Sequence, residues 1–246
     1  MNLTHKENYS LCIVFPMGIE AHPFLKRVET RNRSKLGKAI LRRCFFEGRE
    51  FLVLRSGIGP DKAARAVRSL DRDVDLILSV GTSGALTPDL FLGQMVVVGE
   101  TVSATDSGEV IKSDQTVVRK LVHACNKVGQ PNIVGRLVTS AKPVFARDER
   151  QKLHTRVCAS AVDMESHVMA IEAKNRGISF AGLRVISDTV FSGPLPQKVD
   201  LKSLARNPLA IGKKLAPFMK WRNFIKQFFF AIGKLDPALV NFLRLS

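Results

Sequence analysis

Short apolar runs recur along the chain, at Leu11–Phe15, Phe51–Leu54, Leu76–Val80, Met95–Val98, Ile133–Val138 and Phe180–Ile186, most of them closed by glycine, proline or charge. Runs of this length read as strands buried on both faces. Between them, Asp61–Leu70, Thr116–Val128 and Met164–Asn175 place apolar residues at helical spacing. The alternation predicts an α/β fold, a central mixed or parallel β-sheet flanked by helices. Turn signals fall where strands end, at Gly57-Ile58-Gly59-Pro60 and at Gly81-Thr82-Ser83-Gly84, and α/β folds bind ligands at such ends. After Pro194 the composition turns basic and aromatic, which divides the chain into a main domain over residues 1–205 and an extension over 206–246.

Drawn as a helix, Lys213–Ile232 gathers Phe218, Trp221, Phe224, Ile225, Phe228, Phe229 and Ile232 on one side, with Lys220, Asn223, Lys226 and Gln227 on the other. This basic amphipathic tail suits docking on a membrane surface. It equally suits a terminal helix packed on the main domain or on a partner subunit. Residues 206–246 hold eight cations and one acid, a net of +7 out of +16 for all 246 residues. Such a balance favours anionic partners: nucleic acid, phosphorylated metabolites or an anionic bilayer. An RRM, KH or helix-turn-helix signature is missing, which counts against nucleic acid. No apolar stretch has the roughly 18 residues of a spanning helix. The four cysteines are far apart, and the five histidines show no ligand spacing, so neither a disulfide framework nor a metal site is expected. A cytoplasmic protein, soluble or peripheral on the inner membrane, is the expectation.

Candidate chemistry lies in three places. Gly81-Thr82-Ser83-Gly84-Ala85 offers small residues and hydroxyls on what reads as a loop after a strand, where backbone amides can approach an anion or a sugar. Read by itself, it is equally a tight turn. Asp163 and Glu165 open a helix, where they also suit the helix dipole. Asp188 ends a buried strand in a Ser-Asp pair, where it could simply cap the next segment.

Together with Met17-Gly18-Ile19-Glu20 and Ser56-Gly57-Ile58-Gly59, the segments Gly81–Leu86, Ala161-Val162-Asp163-Met164-Glu165 and Arg184-Val185-Ile186-Ser187-Asp188 resemble, in order and spacing, the nucleoside phosphorylase and nucleosidase superfamily. The resemblance spans about residues 10–190. It is closest to two branches, the methylthioadenosine/S-adenosylhomocysteine nucleosidases and the hopanoid-associated phosphorylases that act on adenosylhopane. Ala161–His167 looks more like the latter, since the nucleosidases typically carry Glu where this chain has Asp163.

The resemblance implies that Asp188 protonates or hydrogen-bonds N7 of the departing purine, that Glu165 grips the ribose hydroxyls, and that Met164 packs beside the sugar. It puts Ser187 in support of the acid, Glu20 at the position that activates water, and Val144 and Phe145 against the base, with Lys142 where an acidic residue is common. Thr82, Ser83 and Gly84 fall in the substrate site, and Gly81, Thr82, Ser83 and Arg55 in a phosphate or water site. His22, two past Glu20, is a minor candidate, and His167 reads as a helix residue near the site. Cleaving the C–N bond develops positive charge on the sugar and negative charge on the purine, so a carboxylate near the one and an acid near the other would bind the transition state best. For Asp188 to donate at neutral pH it must stay protonated, which burial favours.

Adenine release from adenosylhopane, by phosphorolysis or hydrolysis, is the leading expectation. No cofactor is implied, although phosphate could be a co-substrate, and the resemblance suggests a homodimer or larger assembly. A soluble methylthioadenosine/S-adenosylhomocysteine nucleosidase is the second reading, and a non-catalytic nucleoside-binding protein of the same fold the third.

Overall fold

The computed structural model describes residues 9–70, 74–105, 108–192 and 211–245. The proposed boundary near Arg206 and the side chains of Phe218 and Trp221 lie outside the described residues. All six expected strands are present, as β1 (Tyr9–Phe15), β4 (Arg49–Arg55), β5 (Val74–Ala85), β6 (Met95–Ser103), β8 (Asn132–Thr139) and β10 (Ser179–Asp188). The three expected helices are α2 (Pro60–Arg68), α3 (Gln115–Lys127) and α5 (Ser166–Asn175). The pattern did not point to β2 (Glu29–Leu36), β3 (Ala39–Phe46), β7 (Ile111–Lys112), β9 (Ala161–Asp163), α1 (Gly18–Leu25) or α4 (Arg147–Val157).

The strands form one mixed sheet in which β5, β10, β6, β8 and β9 pair in a closed circuit. From β5 the sheet continues outward through β1, β4, β3 and β2. Strands β1, β4, β5 and β10 run parallel, so β1, β5 and β10 deliver their C-terminal residues to one edge. One face packs on α1, α3 and the C-terminal helix through Phe24, Leu121, Leu239 and Phe242. The other packs on α2 and α5 through Ala66, Val67, Met169 and Ala170.

The Gly81 segment corrects the loop expectation. Residues 81–84 continue β5 and pair with β10, Gly81 with Arg184 and Gly84 with Asp188. Strand β5 persists because β10 and β9 satisfy its backbone groups on either side, so no turn is needed.

The tail forms α6 (Ile211–Leu245). Ala231, Ile232, Leu235, Ala238, Leu239, Phe242 and Leu243 are buried, and most of them join the main core with α1 and α3. Arg27 to Asp236, at 3.0 Å, and Arg244 to Glu47, at 2.8 Å, fasten its sides. The second half of α6 is therefore part of the main fold. Among the described residues no helix is long and apolar enough to cross a membrane.

Candidate active site

At the edge where β1, β5 and β10 end lies a cavity of about 610 Å³. Of the expected residues it is lined by Glu20, Thr82, Ser83, Gly84, Val144, Phe145, Met164, Glu165, Ser187 and Asp188, with Lys142 alongside. Gly81, Arg55 and His22 do not line it; Arg55 lies against Gly18, 3.6 Å from where a side chain there would begin. His167 is buried, with Nδ1 3.1 Å from the Thr101 hydroxyl, away from the cavity lining. Among the described residues no group of His, Cys, Asp or Glu is arranged to hold a metal ion.

Glu20 sits in the first turn of α1 and turns back on the backbone that positions it. Its Oε2 accepts from Met17 N at 3.0 Å, and its Oε1 from both the amide (2.8 Å) and the hydroxyl (2.9 Å) of Thr82. Burial pushes the Glu20 carboxyl above its ordinary value, and these donors together with Arg184 oppose the shift. Glycine suits position 81, because a Cβ there would lie 3.0 Å from both Glu20 Oε1 and Arg184 Nη1, and one or both would have to shift.

Beneath the cavity Arg184, wholly buried, binds Asp163 Oδ2 through Nε (3.1 Å) and Nη2 (2.8 Å), and Nη2 also donates to the Ser79 and Ser166 hydroxyls. Asp163 in turn accepts from Thr139 Oγ1 at 2.6 Å and from Ser166 N, which starts α5. Arg184 Nη1 is a buried donor without a protein acceptor, and Gly81 separates it narrowly from Glu20.

Glu165 stands at the N-terminus of α5, and its Oε1 accepts from Gly59 N at 2.7 Å. Burial, then the Asp163 charge, push its carboxyl up to about 7; the Gly59 amide and Arg184 oppose, and Glu20 adds a small further rise. A carboxyl raised from 4.5 in the unfolded chain to about 7 binds its proton more tightly when folded. Its contribution to stability is full below pH 4.5 and is lost as pH rises through about 7, roughly 3 kcal/mol over that window. Thermal melts from pH 4.5 to 8 should therefore show wild type losing ground to Glu165→Gln as pH rises. A constant difference between the two would refute the shift.

Asp188 ends β10 with both oxygens engaged. Oδ1 accepts from Ser187 Oγ at 2.9 Å, and Oδ2 is ion-paired with Arg150 of α4. Sequence reasoning missed Arg150 and gave no working role to Gly59 or Arg184, though both lie in the quoted motifs. It also gave the aromatic side of α6 no part in the site, yet Phe224, Ile225, Phe228 and Phe229 form one wall of the cavity. Arg184 carried a signal, a charge inside an apolar strand; Arg150, one charge among many in Arg147–Val157, carried none.

Known proteins share this architecture. The 5′-methylthioadenosine/S-adenosylhomocysteine nucleosidase of Neisseria meningitidis, solved with methylthio-immucillin-A, superposes with a TM-score of 0.79 at 16% identity, covering 96% of this chain and 99% of that one. Futalosine hydrolase of Helicobacter pylori gives 0.74 at 19% identity, covering 94% and 97%. In sequence, a Bacillus licheniformis protein named 5′-methylthioadenosine/S-adenosylhomocysteine nucleosidase is 24% identical over 202 residues, 72% of this chain and 85% of the relative. Fold and site together define an enzyme of N-glycosyl bond cleavage. The chain belongs to the Phosphorylase superfamily, whose family model matches residues 10–207.

Proposed function

We propose that the enzyme hydrolyses the N-glycosidic bond of an adenine nucleoside carrying a large apolar 5′ substituent, adenosylhopane being the substrate to which the sequence motifs point. The observation that carries this reading is the wall of Phe224, Ile225, Phe228 and Phe229, which extends the carboxylate-lined cavity with apolar surface. Burying a hydrocarbon substituent there yields about 0.8 kcal/mol per methylene.

In this reading the purine lies by Val144 and Phe145, and Asp188 gives N7 a proton as the C1′–N9 electron pair passes to the base. Glu165, as carboxylate, accepts from the ribose hydroxyls and faces the positive charge that develops at C1′. Glu20 takes a proton from the water whose oxygen bonds to C1′. Water is favoured over phosphate because the amide and hydroxyl of Thr82, the donors an incoming phosphate would use, both serve Glu20, whose charge would also repel it. Arg55 lies outside the cavity and offers phosphate no cation there.

A membrane surface and a homodimer or larger assembly belong to the same proposal. Phe229 and Phe230 are about half exposed beside the exposed Arg222 and Lys226, which supports contact of the cavity mouth with an anionic bilayer. Light scattering of the purified protein tests the assembly.

The substrate test compares 5′-octylthioadenosine with 5′-methylthioadenosine, with and without phosphate. Wild type is expected to prefer the octyl compound in kcat/KM and to ignore phosphate. Phe228→Ala with Phe229→Ala should cut that preference by about tenfold or more and weaken flotation with anionic liposomes. Equal use of both substrates by wild type would refute the apolar subsite, and a phosphate requirement would refute hydrolysis.

A further inference from the structure

Arg150 is about 1% exposed and one of the largest fully buried side chains. It does not line the cavity; it stands behind Asp188, which does. Its helix, α4, begins two residues after Phe145. The guanidinium gathers three segments: Nε donates to Val144 O at 3.1 Å, Nη1 to Ala85 O at 2.9 Å and more weakly to Asp188 O at 3.4 Å, and Nη2 to Asp188 Oδ2. Gly84 makes room for the pair, since a Cβ there would lie 3.0 Å from Asp188 Oδ2 and 3.3 Å from Arg150 Nη2. One residue therefore fixes the carboxyl at the end of β10 and the wall segment expected to meet the base.

The two oxygens of Asp188 are not equivalent. Oδ2 faces a permanent cation, while Oδ1, among the described residues, is hydrogen-bonded by the Ser187 hydroxyl alone. That hydroxyl has one proton and two acceptors in reach, Asp188 Oδ1 at 2.9 Å and Ser83 O at 3.3 Å. It can donate to Oδ1 when the carboxyl is ionised and turn to Ser83 O when Oδ1 carries the proton.

We infer that Arg150 is a positioning residue for proton transfer to the leaving base: it orients Asp188 so that Oδ1 meets the purine, and it compensates the negative charge left on Asp188 once the proton has gone. This rests on the reading above in which Asp188 protonates N7. As the C1′–N9 bond breaks, its electron pair passes to the purine, the Oδ1 proton moves to N7, and the carboxylate that remains is already in contact with the guanidinium through Oδ2. A fixed charge placed where negative charge develops stabilises the transition state without reorganisation.

The test uses two substrates that differ in their need for that proton. 5′-Octylthioadenosine requires N7 protonation, whereas its N7-methyl derivative carries a cationic base that departs without it. Steady-state base release by the full chain is measured for both. Arg150→Met should lower kcat on the parent by about 100-fold, with a smaller change in KM, and lower it on the N7-methyl compound by less than about tenfold. Arg150→Lys, which keeps the charge but not the forked geometry, should recover part of the loss on the parent only. Equal losses on the two substrates would mean that Arg150 only holds the fold together and would overturn the inference, as would no loss on either. If Arg150→Met does not accumulate as folded protein, the same comparison is made with Arg150→Lys, where a selective loss supports the inference and an equal loss overturns it. Wild type inactive on both substrates would refute the proposed function itself, an outcome distinct from any behaviour of the variants.

Discussion

Exchanging Glu20 for glutamine should lower kcat by about 100- to 10,000-fold while KM moves by less than about fivefold. In the proposed hydrolysis Glu20 is the carboxylate that takes a proton from the attacking water, and an amide cannot take one. Its burial works in favour of this role, since a carboxyl pushed above its ordinary value is a stronger acceptor once ionised. The substitution keeps the shape of the side chain, so the Thr82 amide and hydroxyl retain an oxygen to bind. The amide nitrogen, however, would face Met17 N, a donor set against a donor, costing about 1–3 kcal/mol of stability. Activity is therefore to be compared well below the melting temperature of the variant. A kcat within about fivefold of wild type would place water activation elsewhere, and Glu20→Asp, which withdraws the carboxylate by one methylene, should fall between the two.

The parts of the fold that the sequence disclosed are those with a strong period. Leu76–Val80 and Phe180–Ile186 are apolar apart from Ser79, Gly182 and Arg184 because β5 and β10 are covered on both faces, and α3 shows its stripe because one side of it packs on the sheet. Strand β2, Glu29-Thr-Arg-Asn-Arg-Ser-Lys-Leu36, lies at the sheet edge and is almost wholly exposed, so no alternation marks it. Its structure comes from pairing with β3 rather than from burial. Strand β9 has three residues, too few for any period.

The site divides in the same way. Asp188, Glu165 and Glu20 could be found because the short motifs around them resemble, in order and spacing, those of the nucleoside phosphorylase and nucleosidase superfamily. Arg150 could not: it faces inward from a helix whose other residues are mostly polar, and only the tertiary arrangement separates it from Arg147 or Arg156. The aromatic side of α6 was visible, but its neighbours were not. An apolar helix face announces that something covers it, whether lipid, protein or a ligand cavity, and sequence alone does not say which. Here Leu235, Leu239 and Phe242 face the core, and Phe224, Ile225 and Phe228 face the cavity.

Arg184→Met should destabilise the protein by about 3–5 kcal/mol, a fall in melting temperature of roughly 10 °C or more. Asp163 has two neutral donors, Thr139 Oγ1 and Ser166 N, but Arg184 is its cation, and the side chains of both partners are almost fully buried. Removing the guanidinium leaves a buried carboxylate without a countercharge and takes a donor from both Ser79 and Ser166. The loss should reach the site as well. Arg184 opposes the upward shift of both Glu20 and Glu165, so without it each carboxyl would hold its proton to higher pH. The acid limb of kcat/KM should accordingly move to higher pH in whatever fraction of the variant remains folded. Asp163→Asn combined with Arg184→Met distinguishes the loss of a cation from the loss of packing. If the uncompensated charge is the main cost, the double variant should be more stable than Arg184→Met alone, because the carboxylate has gone too. If it is less stable, the cluster is held by its hydrogen bonds to Thr139, Ser79 and Ser166 rather than by the pairing of charges.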